Sequence, residues 1–246
     1  KASLIWRSFS HWIGGMGVLV FLLAIVPMAG GSHMNLMKAE SPGPSVGKLV
    51  PKVRQTAKYL YIIYFALTMI EVIFLLFGGM NLFDASIHTF GSVGTGGFSN
   101  YNDSVAHFDS LYIEIVIIVF MFLCGINFNL FFTGFRQGIK SFIGNPEFKL
   151  YLIITCTISV LIGLTLVFSG SYSNPGKAFT DSVFQVVSVI TTTGFFTADY
   201  DIWPQFARAL IFLLFFIGGC ASSTAGVSSL TSRYDSSNSF LGDQLS

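Results

Sequence analysis

Val93-Gly94-Thr95-Gly96-Gly97-Phe98 returns 97 positions later as Ile190-Thr191-Thr192-Thr193-Gly194-Phe195. At the same spacing Leu82-Phe83-Asp84-Ala85-Ser86 falls on Phe179-Thr180-Asp181-Ser182-Val183. Each copy keeps one order: an apolar stretch, a semi-polar stretch, a Gly/Thr cluster closing on Gly-Phe, an acidic loop and a second apolar stretch. A partial third copy opens the chain, where Ile13-Gly14-Gly15-Met16 lines up with Leu123-Cys124-Gly125-Ile126 and Ile217-Gly218-Gly219-Cys220. The repeat reads as the end of one unit followed by two nearly whole units.

The apolar stretches are Trp12 to Pro27, Tyr59 to Gly79, Leu111 to Phe132, Leu150 to Phe168 and Phe206 to Ala221. They approach or meet the ~20 residues needed to cross about 30 Å of hydrocarbon. The chain is 52% hydrophobic and 10% charged, against about 25% charged in soluble domains, so an ordinary soluble domain is excluded. A net charge of +1 gives no reason to expect a nucleic-acid partner. Cys124, Cys156 and Cys220 sit inside apolar stretches without paired spacing, which predicts small core residues rather than a disulfide framework or a zinc site. The chain begins at Lys1 without an initiator Met or a signal-peptide pattern, and is expected to be a piece of a longer protein.

The middle stretches, Asn81 to Ser92 and Gly176 to Val189, are too short to span. A helix of that length rises about 18 Å, half a bilayer, so a segment that enters and comes back fits best. Asp84 and Asp181 are placed in the first turns, where the positive end of the helix dipole favours a carboxylate. The negative ends then point into the membrane, where they favour a cation. The returning backbone, unpaired at that depth, is tolerated only where it lines a water- or ion-filled cavity. Gly94, Gly96, Gly97 and Gly194 permit φ > 0, and carbonyls turned to one axis can replace an ion's hydration shell. The hydroxyls of Thr191, Thr192 and Thr193 are candidate further ligands.

Loop charge orients the spans. Lys38, Lys48, Lys52, Arg54 and Lys58 against Glu40 precede the second span, and Arg136, Lys140 and Lys149 against Glu147 precede the fourth; both connections are predicted to be cytoplasmic. The segments Met80 to Ser110, with Asp84, Asp103 and Asp109, and Gly170 to Gln205, with Asp181, Asp199 and Asp201 against Lys177, are predicted to face outside.

With these patterns in hand, the chain resembles the Trk/Ktr/HKT superfamily of potassium transporters, and most of all its bacterial TrkH branch. The resemblance rests on His11-Trp12-Ile13-Gly14-Gly15-Met16-Gly17, on Pro42-Gly43-Pro44 with Lys48-Leu49-Val50-Pro51-Lys52-Val53-Arg54, and on Gly91-Ser92-Val93-Gly94-Thr95-Gly96-Gly97-Phe98-Ser99. It continues through Thr191-Thr192-Thr193-Gly194-Phe195, Asp199-Tyr200 with Trp203-Pro204, and Gly218-Gly219-Cys220-Ala221-Ser222-Ser223-Thr224-Ala225-Gly226. The resemblance implies an all-α integral membrane fold of repeated helix, pore-loop, helix units around a pseudo-fourfold cation pore, incomplete in this chain. Val93 to Gly97 and Ile190 to Gly194 would be two of four filter strands, and Gly218 to Gly226 a gating loop beneath them. It implies potassium as the transported ion with no cofactor, a cytosolic nucleotide-binding regulatory subunit of TrkA type, a homodimer at full length, membrane lipid around it, and a multi-pass location in a bacterial inner membrane.

The division that follows is 1–37 for the second span of a first unit, 38–58 for a basic cytoplasmic connection, 59–134 for a second unit, 135–149 for another connection, 150–226 for a third unit, and 227–246 for a polar tail expected to be disordered. The first unit's filter strand and the whole fourth unit are missing, which leaves potassium against sodium open. The basic stretch from Lys48 to Lys58 is a candidate docking surface for the regulator.

Glu71, far inside a span, is a functional acid or half of a structural pair. His88, which aligns with Gln185, is expected to brace the filter, while Tyr200 and Trp203 should mark the outer interface and Asn127 and Asn129 the inner vestibule or a helix contact. His11, His33 and His107 lack metal spacing. A membrane-embedded enzyme would need converging catalytic groups inside the spans, and Glu71 is isolated. A secondary transporter with broken helices usually pairs inverted segments, whereas these copies run in one direction.

Overall fold

The computed structural model describes residues 2–17, 46–128, 130, 131, 134, 138, 143–220, 223 and 224, with only the backbone of Met16 and of residues 46–57. Lys38, Glu40, His33, Pro42 to Pro44, Asn129, Arg136, Lys140, Ala221, Ser222, Ala225, Gly226, the tail 227–246, and the side chains of Lys48, Lys52 and Arg54 lie outside the described residues. All regular structure among the described residues is helical: α1 (Ala2–Trp12) running into a π-helical turn (Ile13–Gly17), α2 (Val46–Phe77), α3 (Leu82–Val93), α4 (Leu111–Cys124), α5 (Pro146–Phe168), α6 (Pro175–Ile190) and α7 (Gln205–Leu214).

Two of these helices, Lys58–Phe77 within α2 and Pro146–Phe168, are long and apolar enough to cross a membrane, and only 22% and 33% of their most apolar windows are buried. Each turns its large side chains outward. On α2 Ile62, Phe65, Met69, Ile73 and Phe77 are exposed at helical spacing, while Tyr64, Thr68, Glu71 and Leu75 face in. On α5 Ile153, Val160, Leu164 and Phe168 are exposed, while Tyr151, Thr155, Ser159 and Ile162 face in. Bulky residues outside and small or polar residues inside is the arrangement expected when the solvent is hydrocarbon. Gly163 lets α5 close on α6, since a Cβ there would lie 2.6 Å from the Phe179 ring.

The half-helices start where asparagines cap them. Asn81 Oδ1 accepts from Asp84 N at 2.9 Å, and Asn174 Oδ1 accepts from Gly176 N at 2.9 Å with Pro175 in the first helical position. Asn145 does the same for α5 through Glu147 N and Phe148 N. Each cap satisfies amides that a helix start leaves without a partner. With the helix starting at Pro175, Asp181 lies in its second turn rather than the first, where the sequence placed it; Asp84 is in the first turn of α3.

Further expectations change. The second half of the basic connection is helical, continuous with α2 from Val46, and α1 is already formed at Ala2 rather than starting at Trp12. The stretch Leu111 to Phe132 breaks at Cys124, with Gly125 as its C-cap, where a Cβ would meet the Tyr151 phenol oxygen at 2.5 Å and Thr191 Cγ2 at 2.7 Å. The stretch Phe206 to Ala221 is helical only to Leu214, and Gly218 beyond it has φ +46, which a right-handed helix cannot use. Trp203 is packed inside at 3% exposure, and Cys156 faces outward while Cys124 and Cys220 are buried.

Candidate functional site

Both half-helices end in the same backbone device. After α3, Gly94 N bonds Phe90 O (3.1 Å), Thr95 N bonds Ser92 O (3.1 Å), and Gly96 N and Gly97 N bond Gly91 O (2.8 and 3.3 Å). After α6, Thr191 N bonds Val187 O (3.0 Å), Thr192 N bonds Val189 O (3.0 Å), and Thr193 N and Gly194 N bond Ser188 O (2.9 and 3.3 Å). Every bond of one set maps onto a bond of the other at the 97-residue spacing. The pattern is a Schellman cap, in which the residue past the cap turns left-handed. That residue is normally glycine; here it is Thr95 at φ +50 and Thr192 at φ +56. A β-branched residue held there is strained, which marks a geometry that the surroundings impose.

Positive φ then recurs at Gly97 (+61) and Gly194 (+88). Gly94 has φ −79, and Gly96 is not among the positive-φ residues. These two glycines serve close approach instead: a Cβ on Gly94 would lie 3.1 Å from Trp12 Cα, and one on Gly96 2.7 Å from His11 Nδ1. The two return turns touch, because a side chain on Gly97 would run into the carbonyl of Thr193. Val93 and Ile190 are the last helical residues, both buried, so each turn proper begins one residue later. The Thr191 hydroxyl donates to Val187 O at 2.7 Å and lies 2.8 Å from the Thr193 hydroxyl. With both side chains buried, these hydroxyls brace the turn from within.

Behind the turns lies a set of braces. Asp84 receives Asn81 Nδ2 (2.7 Å), Asn100 Nδ2 (2.7 Å) and the Tyr101 hydroxyl (2.9 Å). Asp181 receives the Thr197 hydroxyl (2.8 Å), the counterpart of Asn100, and Lys177 Nζ (3.0 Å), which also binds Glu114 Oε1 at 2.6 Å. Burial opposes the charge on Lys177, but the two carboxylates outweigh it and hold the ammonium above the ordinary lysine value.

His88 Nδ1 lies 2.8 Å from Asp84 O, so that nitrogen carries the proton, and Nε2 lies 3.0 Å from Ser99 Oγ. The ring stacks on Phe195 of the other turn, and its position is that of a brace. Gln185, its counterpart, is buried with no partner for Oε1. Glu71 is fully buried on α2, facing Ser92, whose hydroxyl donates to His88 O at 2.9 Å, and among the described residues neither carboxylate oxygen has a hydrogen-bond partner. Asn127 reaches Glu147 Oε2 at 3.3 Å, a helix contact. Among the described residues no group of three His, Cys, Asp or Glu side chains is arranged to hold a metal ion.

The small-residue segment after α7 reaches the turns directly. The Thr95 hydroxyl lies 2.7 Å from Thr224 O, Thr224 N and Oγ1 bond Cys124 O (3.3 and 3.1 Å), and Cys220 N bonds Gly125 O (3.1 Å). Past the helix end at Leu214 the segment thus lies against the turn at Thr95. Sequence reading also missed Arg7, which donates to Ser99 O at 3.0 Å with its guanidinium 4.5 Å over the Phe98 ring, because α1 has no counterpart in the repeat to call attention to it.

Residues 1–235 match the family model described as TrkH, cation transport protein. The Trk system potassium uptake protein TrkH of Vibrio parahaemolyticus is 39% identical over 230 residues, which cover 92% of this chain and 47% of that protein. Its Escherichia coli K12 counterpart is 39% identical over 227 residues, with the same coverage. The crystal structure of the potassium transporter TrkH from Vibrio parahaemolyticus superposes with a TM-score of 0.79 at 35% identity, over 94% of this chain and 47% of that one. The chain spans about half the length of the curated relatives it matches. It belongs to the TrkH family of cation transport proteins.

Proposed function

We propose that the two return turns are two filter strands of a potassium-conducting pore in a bacterial inner membrane, and that this chain supplies the middle of a multi-pass, pore-forming subunit. One observation carries the reading: two half-helices end in turns of matching backbone geometry that touch at Gly97 and Thr193. The negative ends of α3 and α6 lie at those turns, where they favour a cation. The carbonyls of Gly94 to Gly97 and Thr191 to Gly194 replace its water, with Val93 and Ile190 anchoring each turn in its helix. Residues 59–134 and 150–226 are two units of a pseudo-fourfold ring, 1–37 ends a first unit, and the first unit's filter strand and the fourth unit come from the rest of a longer protein. The segment Gly218 to Gly226 is a gate beneath the filter, a reading supported by the bond between Thr95 and Thr224. Potassium is cargo, and no cofactor enters the step. A cytosolic nucleotide-binding regulator of TrkA type docks on the basic stretch Lys48 to Lys58, and two full-length copies pair.

The test is uptake by the full-length protein in sealed vesicles with potassium and then sodium outside. Potassium uptake should exceed sodium uptake. Gly97→Ser and Gly194→Ser should reduce that preference severalfold without reducing membrane insertion, since a Cβ disfavours φ > 0. Equal uptake of both ions would favour a mixed monovalent cation pore of the same fold. Unchanged discrimination in both variants would overturn the filter assignment.

A further inference from the structure

Two tyrosines repeat a contact at a spacing different from that of the turns. The Tyr64 hydroxyl donates to Trp12 O at 2.8 Å, and the Tyr151 hydroxyl donates to Phe122 O at 3.3 Å. Each phenol ring also stacks on the residue whose carbonyl it binds, at 5.4 Å and 27° for Trp12 and at 4.8 Å and 23° for Phe122. One turn further on, Thr68 Oγ1 donates to Tyr64 O (2.9 Å) and Thr155 Oγ1 to Tyr151 O (2.8 Å). Three residues past each accepting carbonyl is a glycine, Gly15 or Gly125. A Cβ on Gly15 would lie 3.1 Å from the Tyr64 oxygen and 3.4 Å from Gly94 Cα; one on Gly125 would lie 2.5 Å from the Tyr151 oxygen and 2.7 Å from Thr191 Cγ2. Gly94 and Thr191 are the matching first residues of the two turns.

The joint therefore has the same parts twice. A helix of one unit ends beside a glycine, the glycine lies against the first residue of the next unit's turn, and a tyrosine from that next unit ties the helix end down. At the second joint the helix breaks, Ile126 N turns to Leu123 O, and the phenol takes up the carbonyl of Phe122. Inside a membrane such a carbonyl has no water to bind. Both tyrosines are buried, at 3% and 0% exposure.

We propose that Tyr64 and Tyr151 are positioning residues for the two turns, each phenol fixing the helix end of one unit against the next unit's turn and so setting ion discrimination there. The inference rests on the filter reading above. Its test uses Tyr64→Phe, Tyr151→Phe and the double variant of the full-length protein, since Phe keeps the ring stack and removes the hydroxyl. The readouts are the potassium-to-sodium uptake ratio, the yield of monodisperse protein and its Tm. Each single variant should lower the ratio by about three- to tenfold, the range for loss of one neutral hydrogen bond, with Tyr64→Phe the larger because its bond is shorter, and the double variant lower still. Yield should be unchanged. A ratio equal to the parent's in both single variants, with loss confined to Tm or yield, would reduce the phenols to packing and overturn the proposal. So would failure of both to accumulate. If Gly97→Ser and Gly194→Ser shift the ratio and the tyrosine variants do not, this inference fails alone; if none shifts it, the filter reading falls first.

Discussion

The hairpin from Asn81 to Tyr101 and the hairpin from Asn174 to Trp203 reach one backbone geometry with different chemistry. The first turn is glycine-rich and the second threonine-rich, yet their hydrogen bonds differ by no more than the spread of pairs such as 3.1 and 3.0 Å. Three positions are common in kind: a threonine at φ near +50, a glycine two residues later and the phenylalanine after it. The turn is thus set by helix capping. Its remaining side chains answer to whatever packs behind them, which is α1 at Gly94 and Gly96, and Tyr151 with Gly125 at Thr191. The outer braces diverge further, with Asp84 among three neutral donors and Asp181 in a charged cluster that ties α4 to α6.

That contrast is broken most severely at Lys177. Lys177→Met leaves Asp181 and Glu114, 2% and 3% exposed at the side chain, without their cation. Uncompensated buried charge costs about 3–5 kcal/mol, to be read as a fall in Tm of the detergent-purified full-length protein. Asn100→Ala removes one neutral donor from Asp84 and should cost about 1–3 kcal/mol. Equal losses would mean that the two braces are energetically alike. Since the lysine value is raised on folding, its contribution is fully present below the ordinary value of about 10.4 and is lost only as pH rises through the folded value. The Tm difference between parent and Lys177→Met should therefore stay constant from neutral pH to pH 9.

The turns themselves separate at Gly96 and Thr193, which are equivalent by spacing. Gly96→Ala drives a methyl to within 2.7 Å of His11 Nδ1, an overpacking cost of about 1–3 kcal/mol. The combination with His11→Ala should recover most of it. Thr193→Val, which keeps the branched shape, loses the hydroxyl contact to Thr191 and should cost about 1 kcal/mol. A Gly96→Ala protein as stable as the parent would show that α1 yields at this contact.

Much of this was legible before any coordinates. Alternation of long apolar and short semi-polar stretches located α3 and α6 to within a residue at most boundaries, because a half-helix at membrane depth has few alternatives. Asparagine and proline at the start of a helix carry a local signal, and the stretch read from Gly176 starts one residue earlier, at Pro175. What sequence could not supply was the partner of each small residue. Glycine was read as freedom for φ > 0 at Gly94 and Gly96, where the structure uses it for closeness, while the strained positions fell on Thr95 and Thr192. Closeness is a property of two segments, and neither α1 nor the segment after Leu214 announces what it will touch. The Tyr64 and Tyr151 joints escaped for a related reason: their spacing differs from 97, so an alignment on the turns slides past them.

Thr95 and Thr191 sharpen the comparison on the side of the small-residue segment. Thr95→Val keeps the branched shape and the strained φ but loses the bond to Thr224 O; Thr191→Val loses a bond to Val187 O within its own helix. Each should cost about 1 kcal/mol of stability. Only Thr95→Val should also raise potassium uptake at fixed driving force, because among the described residues that bond holds the segment to a turn, and Thr95→Ser should restore most of the parent's restraint. Equal uptake in Thr95→Val and Thr191→Val would show that the contact at Thr224 has no part in gating.

The smallest difference should appear at the caps. Asn81 and Asn174 both accept an amide at 2.9 Å, and loss of such a cap costs about 0.5–2 kcal/mol. Asn81 works twice, since its amide nitrogen also donates to Asp84 Oδ2 at 2.7 Å, so Asn81→Ala weakens the helix start and the brace together. Asn174 lies at an exposed turn whose first helical residue is already held by Pro175, and a proline there fixes φ without needing a donor. Asn81→Ala should therefore cost about 1 kcal/mol and Asn174→Ala about 0.5 kcal/mol. Amide hydrogen exchange in the first turns of α3 and α6 resolves the two, and faster exchange in α6 than in α3 after the matched substitutions would show that Pro175 does not carry the second helix start.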